Sequence, residues 1–254
     1  MRQLINNTVY VLDFDGVVCD STNECLVTSW NAWQKFNGKS SKKLDQEQFS
    51  KQEIIEFYKL RPYVKGAGEY LILYQAKKEN IIIRNNKKFD ELSLIWKNEI
   101  KEYKKIFYLE RNFLRDENLD NWINLHIIYD SVITFIKGKQ KSKQIYIATL
   151  KDGKSVKEIL AKQKIFLENG LLLDESNISS KLDALNKITT RTNVPKRNVF
   201  FIDDNLNHLI GPHNSGYNVF LAAWSNTPSE FIRKAKNYNI SILNNPEEIK
   251  TFNK

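Results

Sequence analysis

The sequence contains few of the residues that staple small secreted domains. Only two of its 254 residues are cysteines. Cys19 and Cys25 lie close together in the chain, an arrangement that does not suggest a secreted disulfide framework. A chain of this length buries enough surface to need no such support. We therefore expect both cysteines to be reduced packing residues.

Long hydrophobic runs are also absent from the start of the chain. Residues 1–7 are polar, and the first apolar run reaches aspartates after only a few residues. That run is too short for a signal-peptide core or a membrane span. We expect a cytoplasmic, soluble protein that does not associate with membranes.

The chain has no excess of acidic residues, because its net charge is +9 and its pI is about 9.3. The lysines are spread along the whole chain and form no recognisable nucleic-acid-binding module or arginine-rich helix. Nucleic acid is therefore not the expected partner. An anionic small-molecule substrate fits the charge equally well.

The most informative stretch is an apolar segment, VYVLDF, that predicts a buried strand over residues 8–14. Asp13 and Asp15 lie two residues apart, so strand alternation directs both side chains to the same side, and Gly16 allows a sharp turn. A lone pair of this kind is more often a solvated strand end. Two ionised carboxylates so close together require a cation, and a divalent metal would supply it.

Three later segments also place polar groups after apolar strands or at helix starts. Thr149 follows IYIA, Lys181 opens the segment KLDAL, and Asp203 and Asp204 end VFFIDD. The carboxyl ends of parallel strands form the edge where sites occur in open α/β sheets. We therefore expect these groups to meet the aspartates at residues 13 and 15.

The remaining pattern divides the chain into an α/β part and a helical part. Strands and helices alternate after the second predicted strand, IYIAT, which indicates a parallel sheet with helices on both faces. The last strand is predicted at 217–223. Between residues 40 and 120 the apolar spacing is helical and no strand is predicted.

The segments DFDGVVCDS, IYIAT, the Lys181 segment and FFIDDN, in this order, resemble the four motifs of the haloacid dehalogenase-like (HAD) hydrolases. The resemblance is to the phosphoglycolate phosphatase-like type with a C1 cap. It implies a Rossmann-like, doubly wound core formed by residues 1–20 and 121–254. An inserted all-helical cap would occupy residues 21–120.

The resemblance also implies a phosphatase mechanism. Asp13 would be the nucleophile that forms an aspartyl-phosphate, and Asp15 the general acid and base. Thr149 and Leu150 would bind the phosphoryl group, and Lys181 would offset its charge. For the lysine role, Lys151, Lys154 and Lys187 remain alternatives.

The implied cofactor is Mg²⁺, bound by the Asp13 carboxylate, the Asp15 backbone carbonyl and Asp204, with Asp203 supporting these ligands. His208 occupies the position where other members of the family carry an additional acid. We expect a structural role for His208, because no cysteine or histidine lies at ligand spacing from it.

The predicted substrate is a small phosphorylated metabolite, contacted by Arg61, Tyr63 and Lys65 of the helical segment. The protein would be a monomer or a homodimer. Three alternatives remain open: a phosphomutase with the same motifs, a catalytically weak protein that binds a phosphorylated ligand, and a phosphatase acting on nucleic-acid ends.

Overall fold

The computed structural model describes residues 8–253. The chain forms two compact units, one made of Met1–Asp20 with Ile128–Lys254 and the other of Ser21–Ile127. The prediction made for residues 1–7 lies outside the described residues. Within 8–253, no helix has the length and apolar character required to span a bilayer.

The strands of the described chain are short. In chain order they are β1 (Val9–Leu12), β2 (Cys19–Asp20), β3 (Ile127–Ile128), β4 (Ile145–Ala148), β5 (Leu172–Leu173), β6 (Val199–Asp203), β7 (Asn218–Ala222) and β8 (Ser241–Leu243).

The α-helices follow the same order. They are α1 (Thr22–Phe36), α2 (Lys51–Leu60), α3 (Tyr70–Lys78), α4 (Asn86–Ile95), α5 (Lys97–Glu117), α6 (Leu119–Asn124), α7 (Asp130–Gln140), α8 (Gly153–Lys162), α9 (Lys181–Thr192), α10 (Leu206–Asn214) and α11 (Ser229–Asn237). A 3₁₀ segment, Pro246–Asn253, follows the last strand.

The α/β unit is built on a six-stranded sheet in the order β5-β4-β1-β6-β7-β8, and every neighbouring pair is parallel. β1 is central because the chain first builds outward through β4 and β5, then returns to add β6 on the other side. All four residues of β1 are buried. This arrangement confirms the predicted α/β fold with a doubly wound parallel sheet.

Two helix starts in this unit are fixed by side-chain caps. Asp152 accepts a hydrogen bond from the Ser155 N–H at 2.9 Å and begins α8. Ser180 accepts from the Asp183 N–H at 3.1 Å and begins α9. These caps place Lys151 just before α8 and make Lys181 the first residue of α9.

The helical unit has an aromatic core and a buried ion pair. On α5, Tyr103 and Phe107 are fully buried, and the Phe107 ring stacks on Tyr70 with ring centroids 5.3 Å apart. The Arg111 Nε and one terminal nitrogen each lie 2.9 Å from an oxygen of Glu24, and both side chains are buried. A pocket of about 560 Å³ in the same unit is lined by residues that include Trp30, Trp33, Phe57 and Tyr74.

Two predicted boundaries differ from the structure. The second unit extends to residue 127 instead of 120, because α6 buries Trp122 and Ile123 and belongs to the helical unit. The strand at 217–223 is not the last one, since the three-residue β8 pairs with β7 beyond it. Both cysteines are buried, as predicted, and neither forms a disulfide within 8–253.

Candidate active site

Three adjacent strands deliver polar side chains to the same edge of the sheet. β1 ends one residue before Asp13, β4 ends one residue before Thr149, and Asp203 is the last residue of β6. Leu12 lies beside Ile147 on one side and Ile202 on the other, so the three carboxyl ends are in register. The sheet therefore brings together groups that are far apart in sequence.

Lys181 joins two of these strand ends. Its Nζ lies 2.6 Å from Asp13 Oδ1 and 3.2 Å from Asp203 Oδ2, and it donates to the Ala148 carbonyl at 2.8 Å. The lysine side chain is only 2% exposed. The three acceptors match the three donors of an ammonium group, so Lys181 is fully used by this arrangement.

The Asp13 carboxylate is held through one oxygen. Oδ1 accepts from the Phe14 N–H at 2.6 Å and from Lys181, while Oδ2 contacts no donor among the described residues. Burial raises the pKa of Asp13 to about 7; Lys181 opposes the shift, and Asp203 and Asp204 add to it. The ionised form of this carboxylate therefore requires additional positive charge near neutral pH.

Asp203 has the opposite balance. Burial acts to raise its pKa, but Lys181 and His208 hold the pKa well below its usual range. The Asn205 N–H also donates to Oδ1 of Asp203 at 2.8 Å. Burial acts to lower the pKa of Lys181, and the carboxylates of Asp13 and Asp203 outweigh it and raise the pKa. Asp203 is therefore an ionised anchor for Lys181 and a hydrogen-bond partner of His208.

His208 contacts the same anchor. Its Nδ1 lies 3.2 Å from each oxygen of Asp203, which raises the pKa of the ring although burial acts against this. One ligand atom each from Asp13, Asp203 and His208 lies within 4.8 Å of the others. The sequence indicated His208 only through its place where other members of the family carry an additional acid, because its approach to Asp203 depends on how α10 leaves β6.

Asp15 is paired with a second buried lysine. Lys151 Nζ lies 3.1 Å from Asp15 Oδ1; the lysine side chain is fully buried, whereas that of Asp15 is 20% exposed. Lys151 was only an alternative for the role of Lys181 in the sequence. The structure brings both lysines to this edge, each on a different aspartate.

The remaining lysine alternatives are exposed. Lys154 is exposed on α8. Lys187 is exposed on α9 and pairs with Asp183 at 3.0 Å, one helical turn away. Of the four candidate lysines, Lys151 and Lys181 are thus the buried ones that contact aspartates of the site.

Thr149 and Leu150 follow the end of β4. The Thr149 side chain is buried, and its Oγ1 accepts from the Lys151 N–H at 3.1 Å, which leaves the hydroxyl hydrogen to donate elsewhere. The Thr149 N–H donates to the Leu173 carbonyl at 2.9 Å, so its backbone is fixed by β5. Leu150 is half-buried.

Gly16 and Asp204 are in close approach. Gly16 has φ +81°, and a Cβ built on it would lie 2.1 Å from Asp204 Oδ2. The buried Asp204 also accepts from the Ser225 hydroxyl at 3.4 Å. Only glycine fits this turn, because a side chain would displace the second aspartate of the pair at the end of β6.

The three residues predicted to contact substrate belong to the helical unit. Tyr63 is buried, and its ring lies 6.0 Å from that of Phe89, so it contributes to the core of that unit. Lys65 forms an ion pair with Asp90. Arg61 begins a 3₁₀ turn and is half-buried. Substrate contact by these residues stays a prediction.

Comparison with known proteins found similarity at the level of structure alone. No family model and no curated protein sequence matches the chain. Among solved structures, a predicted phosphoglycolate phosphatase from Haemophilus somnus superposes with a TM-score of 0.65 at 15% identity, covering 99% of this chain and 100% of that one.

Two further structures extend this similarity. A haloacid dehalogenase-like hydrolase from Streptococcus pneumoniae has a TM-score of 0.63 at 15% identity, with 98% and 99% of the two chains covered. A HAD family hydrolase from Deinococcus radiodurans, solved with bound phosphate and sodium, has a TM-score of 0.56 at 9% identity, with 96% and 93% covered. At identities this low, the superpositions show that the fold is shared and nothing beyond the fold.

Proposed function

We propose that this chain, which has the fold of the haloacid dehalogenase-like hydrolases, is a Mg²⁺-dependent phosphomonoesterase acting on a small phosphorylated metabolite. The observation that carries the proposal is the bridge from Asp13 through Lys181 to Asp203, with distances of 2.6 and 3.2 Å. A buried carboxylate held by a buried lysine at the carboxyl edge of a parallel sheet is a poised nucleophile.

Asp13 Oδ2 would attack phosphorus, since Oδ1 is already held by Lys181 and the Phe14 N–H. The bond from phosphorus to the leaving oxygen breaks and an aspartyl-phosphate forms. The Thr149 hydroxyl would donate to a phosphoryl oxygen, and its Oγ1 is oriented for this by the Lys151 N–H. Lys181 would offset the charge that develops on the transferring group.

Asp15 would exchange a proton with two oxygens, that of the leaving group and that of the attacking water. Protonated, it would give its proton to the leaving alkoxide as the first step proceeds. Ionised, it would then take a proton from the water that attacks the aspartyl-phosphate, which releases phosphate and restores Asp13. Its 20% exposed side chain allows substrate oxygen and water to reach it.

The charges of the site fit a divalent cation. Four carboxylates, on Asp13, Asp15, Asp203 and Asp204, lie with two buried lysines, Lys151 and Lys181, and with His208, so the described charges are net negative even when the histidine is protonated. Mg²⁺ would supply the missing charge and keep Asp13 ionised.

The Asp13 carboxylate, the Asp15 carbonyl and Asp204 would hold the ion. Asp203 is not assigned as a direct ligand, although it lies in the cluster with Asp13 and His208, because Lys181, His208 and the Asn205 N–H already occupy its oxygens.

The test is release of inorganic phosphate from p-nitrophenyl phosphate and from a panel of sugar, nucleotide and small-acid phosphates, with Mg²⁺ and with EDTA. We expect Mg²⁺-dependent release by the wild type and none by Asp13→Asn. Glu168→Gln, the same chemical change at an exposed residue of the same unit, is the matched control. Release that survives Asp13→Asn at the wild-type level would refute the assignment.

The panel also separates the alternatives. A phosphomutase would convert a sugar phosphate to its isomer while releasing little phosphate, because the phosphoryl group returns from Asp13 to the substrate. A protein that only binds phosphorylated ligands would show binding with neither product. A phosphatase of nucleic-acid ends would prefer a 5′- or 3′-phosphorylated oligonucleotide to every small compound.

A further inference from the structure

We propose that Lys151 is a positioning residue that fixes the Asp15 carboxylate for proton transfer to the leaving group. This inference rests on the proposed phosphatase function and assigns a separate lysine to each of its two catalytic aspartates. Lys181 would serve the attacking carboxylate, and Lys151 the general acid and base.

The first argument is that Lys181 has no donor left for Asp15. Its three N–H groups are used by Asp13, Asp203 and the Ala148 carbonyl. Asp15 is instead contacted by Lys151 at 3.1 Å. Two aspartates two residues apart on one chain segment are thus held by two lysines from different helix starts.

The second argument is that local structure does not explain a buried lysine at this position. Lys151 lies immediately before the cap of α8, near the end of a helix where a positive charge is unfavourable. Burying its ammonium group is costly unless an anion compensates, whereas the partly exposed Asp15 keeps access to water. A methionine at this position would pack without the unfavourable charge near the helix start and without the desolvation of an ammonium group, so stability alone does not favour lysine.

The third argument concerns what remains to be fixed at Asp15. The backbone of Asp15 is already held, because Asp15 forms an isolated β-bridge with Cys19 and the neighbouring Gly16 N–H donates to the Cys19 carbonyl at 2.7 Å. The contact to Lys151 Nζ restricts the side-chain rotamer of Asp15 as well. Lys151 also links the phosphate site to the acid, since its own N–H donates to Thr149 Oγ1.

The experiment measures kcat/KM and kcat for a series of aryl phosphates of similar size, from 4-nitrophenyl to phenyl to 4-methoxyphenyl phosphate, with Mg²⁺. A good leaving group departs without a proton, and a poor one needs the general acid. We expect Lys151→Met to keep kcat/KM for 4-nitrophenyl phosphate within about threefold and to lower kcat/KM for 4-methoxyphenyl phosphate on the order of 10²-fold, because this ratio covers the steps up to departure of the leaving group. Lys157→Met, an exposed lysine of α8, should leave the whole series unchanged.

Two more variants distinguish positioning from a structural role. Asp15→Asn should give the same leaving-group dependence, and adding Lys151→Met to it should cause little further loss, because the lysine acts through the acid. Lys151→Arg should restore part of the rate for the poor leaving groups, and it keeps the test available should the methionine variant fold poorly.

An equal loss of kcat/KM across the series, or full additivity of Lys151→Met with Asp15→Asn, would each overturn the inference. These outcomes leave the phosphatase proposal standing, since that proposal fails only when the wild type releases no phosphate or when Asp13→Asn retains wild-type activity.

Discussion

The imidazole Nδ1 of His208 lies 3.2 Å from both carboxylate oxygens of Asp203. Lys181 contacts Asp203 and also Asp13, so the histidine is the outer member of a chain of contacts that leads to the proposed nucleophile, Asp13. Removing it leaves a buried carboxylate with fewer donors.

We predict that His208→Ala weakens Mg²⁺ binding or activity by about 10-fold to 100-fold, as is usual when a group that orients a metal site is lost. His208→Asn should recover part of the loss, because an amide can donate to Asp203. Calorimetric titration with Mg²⁺ measures the effect, and His213→Ala is the control. Equal Mg²⁺ affinity in the alanine variant and the wild type would contradict this prediction.

Mg²⁺ binding should strengthen as pH rises through the pKa of Asp13, which is raised to about 7 by burial. Below that pH the protein must release a proton to bind the ion, and above it Asp13 is already ionised. The dissociation constant should therefore fall by roughly tenfold between pH 6 and pH 8. In Asp13→Asn the residual binding should vary much less with pH over this range; an unchanged pH dependence in that variant would assign the titration to another group.

Lys181→Met should lower kcat by roughly 10²-fold to 10³-fold, because it removes a buried cation from the reacting carboxylate. Lys187→Met, on the same helix but exposed and paired with Asp183 and the Asn177 carbonyl, should change kcat by less than about twofold. Steady-state kinetics with p-nitrophenyl phosphate compare the two. A larger effect at Lys187 would show that the wrong lysine has been assigned.

Gly16→Ala should abolish Mg²⁺-dependent activity and destabilise the fold by roughly 1–3 kcal/mol, since it adds a clash with Asp204 to an unfavourable backbone conformation. Gly38 provides the control, because it also has a positive φ of +72° but open space around it. Urea unfolding of both alanine variants separates strain from clash. Similar losses of stability and full activity in both variants would mean that the contact with Asp204 is unimportant.

The buried pair of Glu24 and Arg111 should matter for the stability of the helical unit. Arg111→Met alone leaves a buried carboxylate and should cost roughly 3–5 kcal/mol of unfolding free energy, whereas combining it with Glu24→Met should recover much of that loss. Glu102→Gln, in an exposed pair, should cost less than about 1 kcal/mol. Chemical denaturation tests all three; an undiminished loss in the double variant would exclude the charge explanation.

The sequence was sufficient to predict features that depend on local pattern. Asp13, Thr149 and Asp203 were recognisable because each follows or ends an apolar strand, and strand direction alone carries them to one edge of the sheet. The sheet itself was predictable for the same reason, since its strands alternate with amphipathic helices.

Features that depend on packing were not predictable. No pattern distinguishes buried Lys151 from exposed Lys154, because the difference is set by the direction in which the chain enters α8. The contact of His208 with Asp203 depends on the start of α10 in the same way. The domain boundary was placed too early because the short helix α6 carries its own apolar residues and reads equally well as part of either unit.

The central strand of the sheet, β1, is separated from all its neighbours by the contiguous segment 21–127. A ribosome therefore delivers the complete helical segment before any strand that can pair with β1 has been made. The sheet depends on contacts of high sequence separation, which slow folding. The contacts that join Asp13 to Lys181 and Asp203 can therefore form only after the whole segment between residues 13 and 203 has been synthesised.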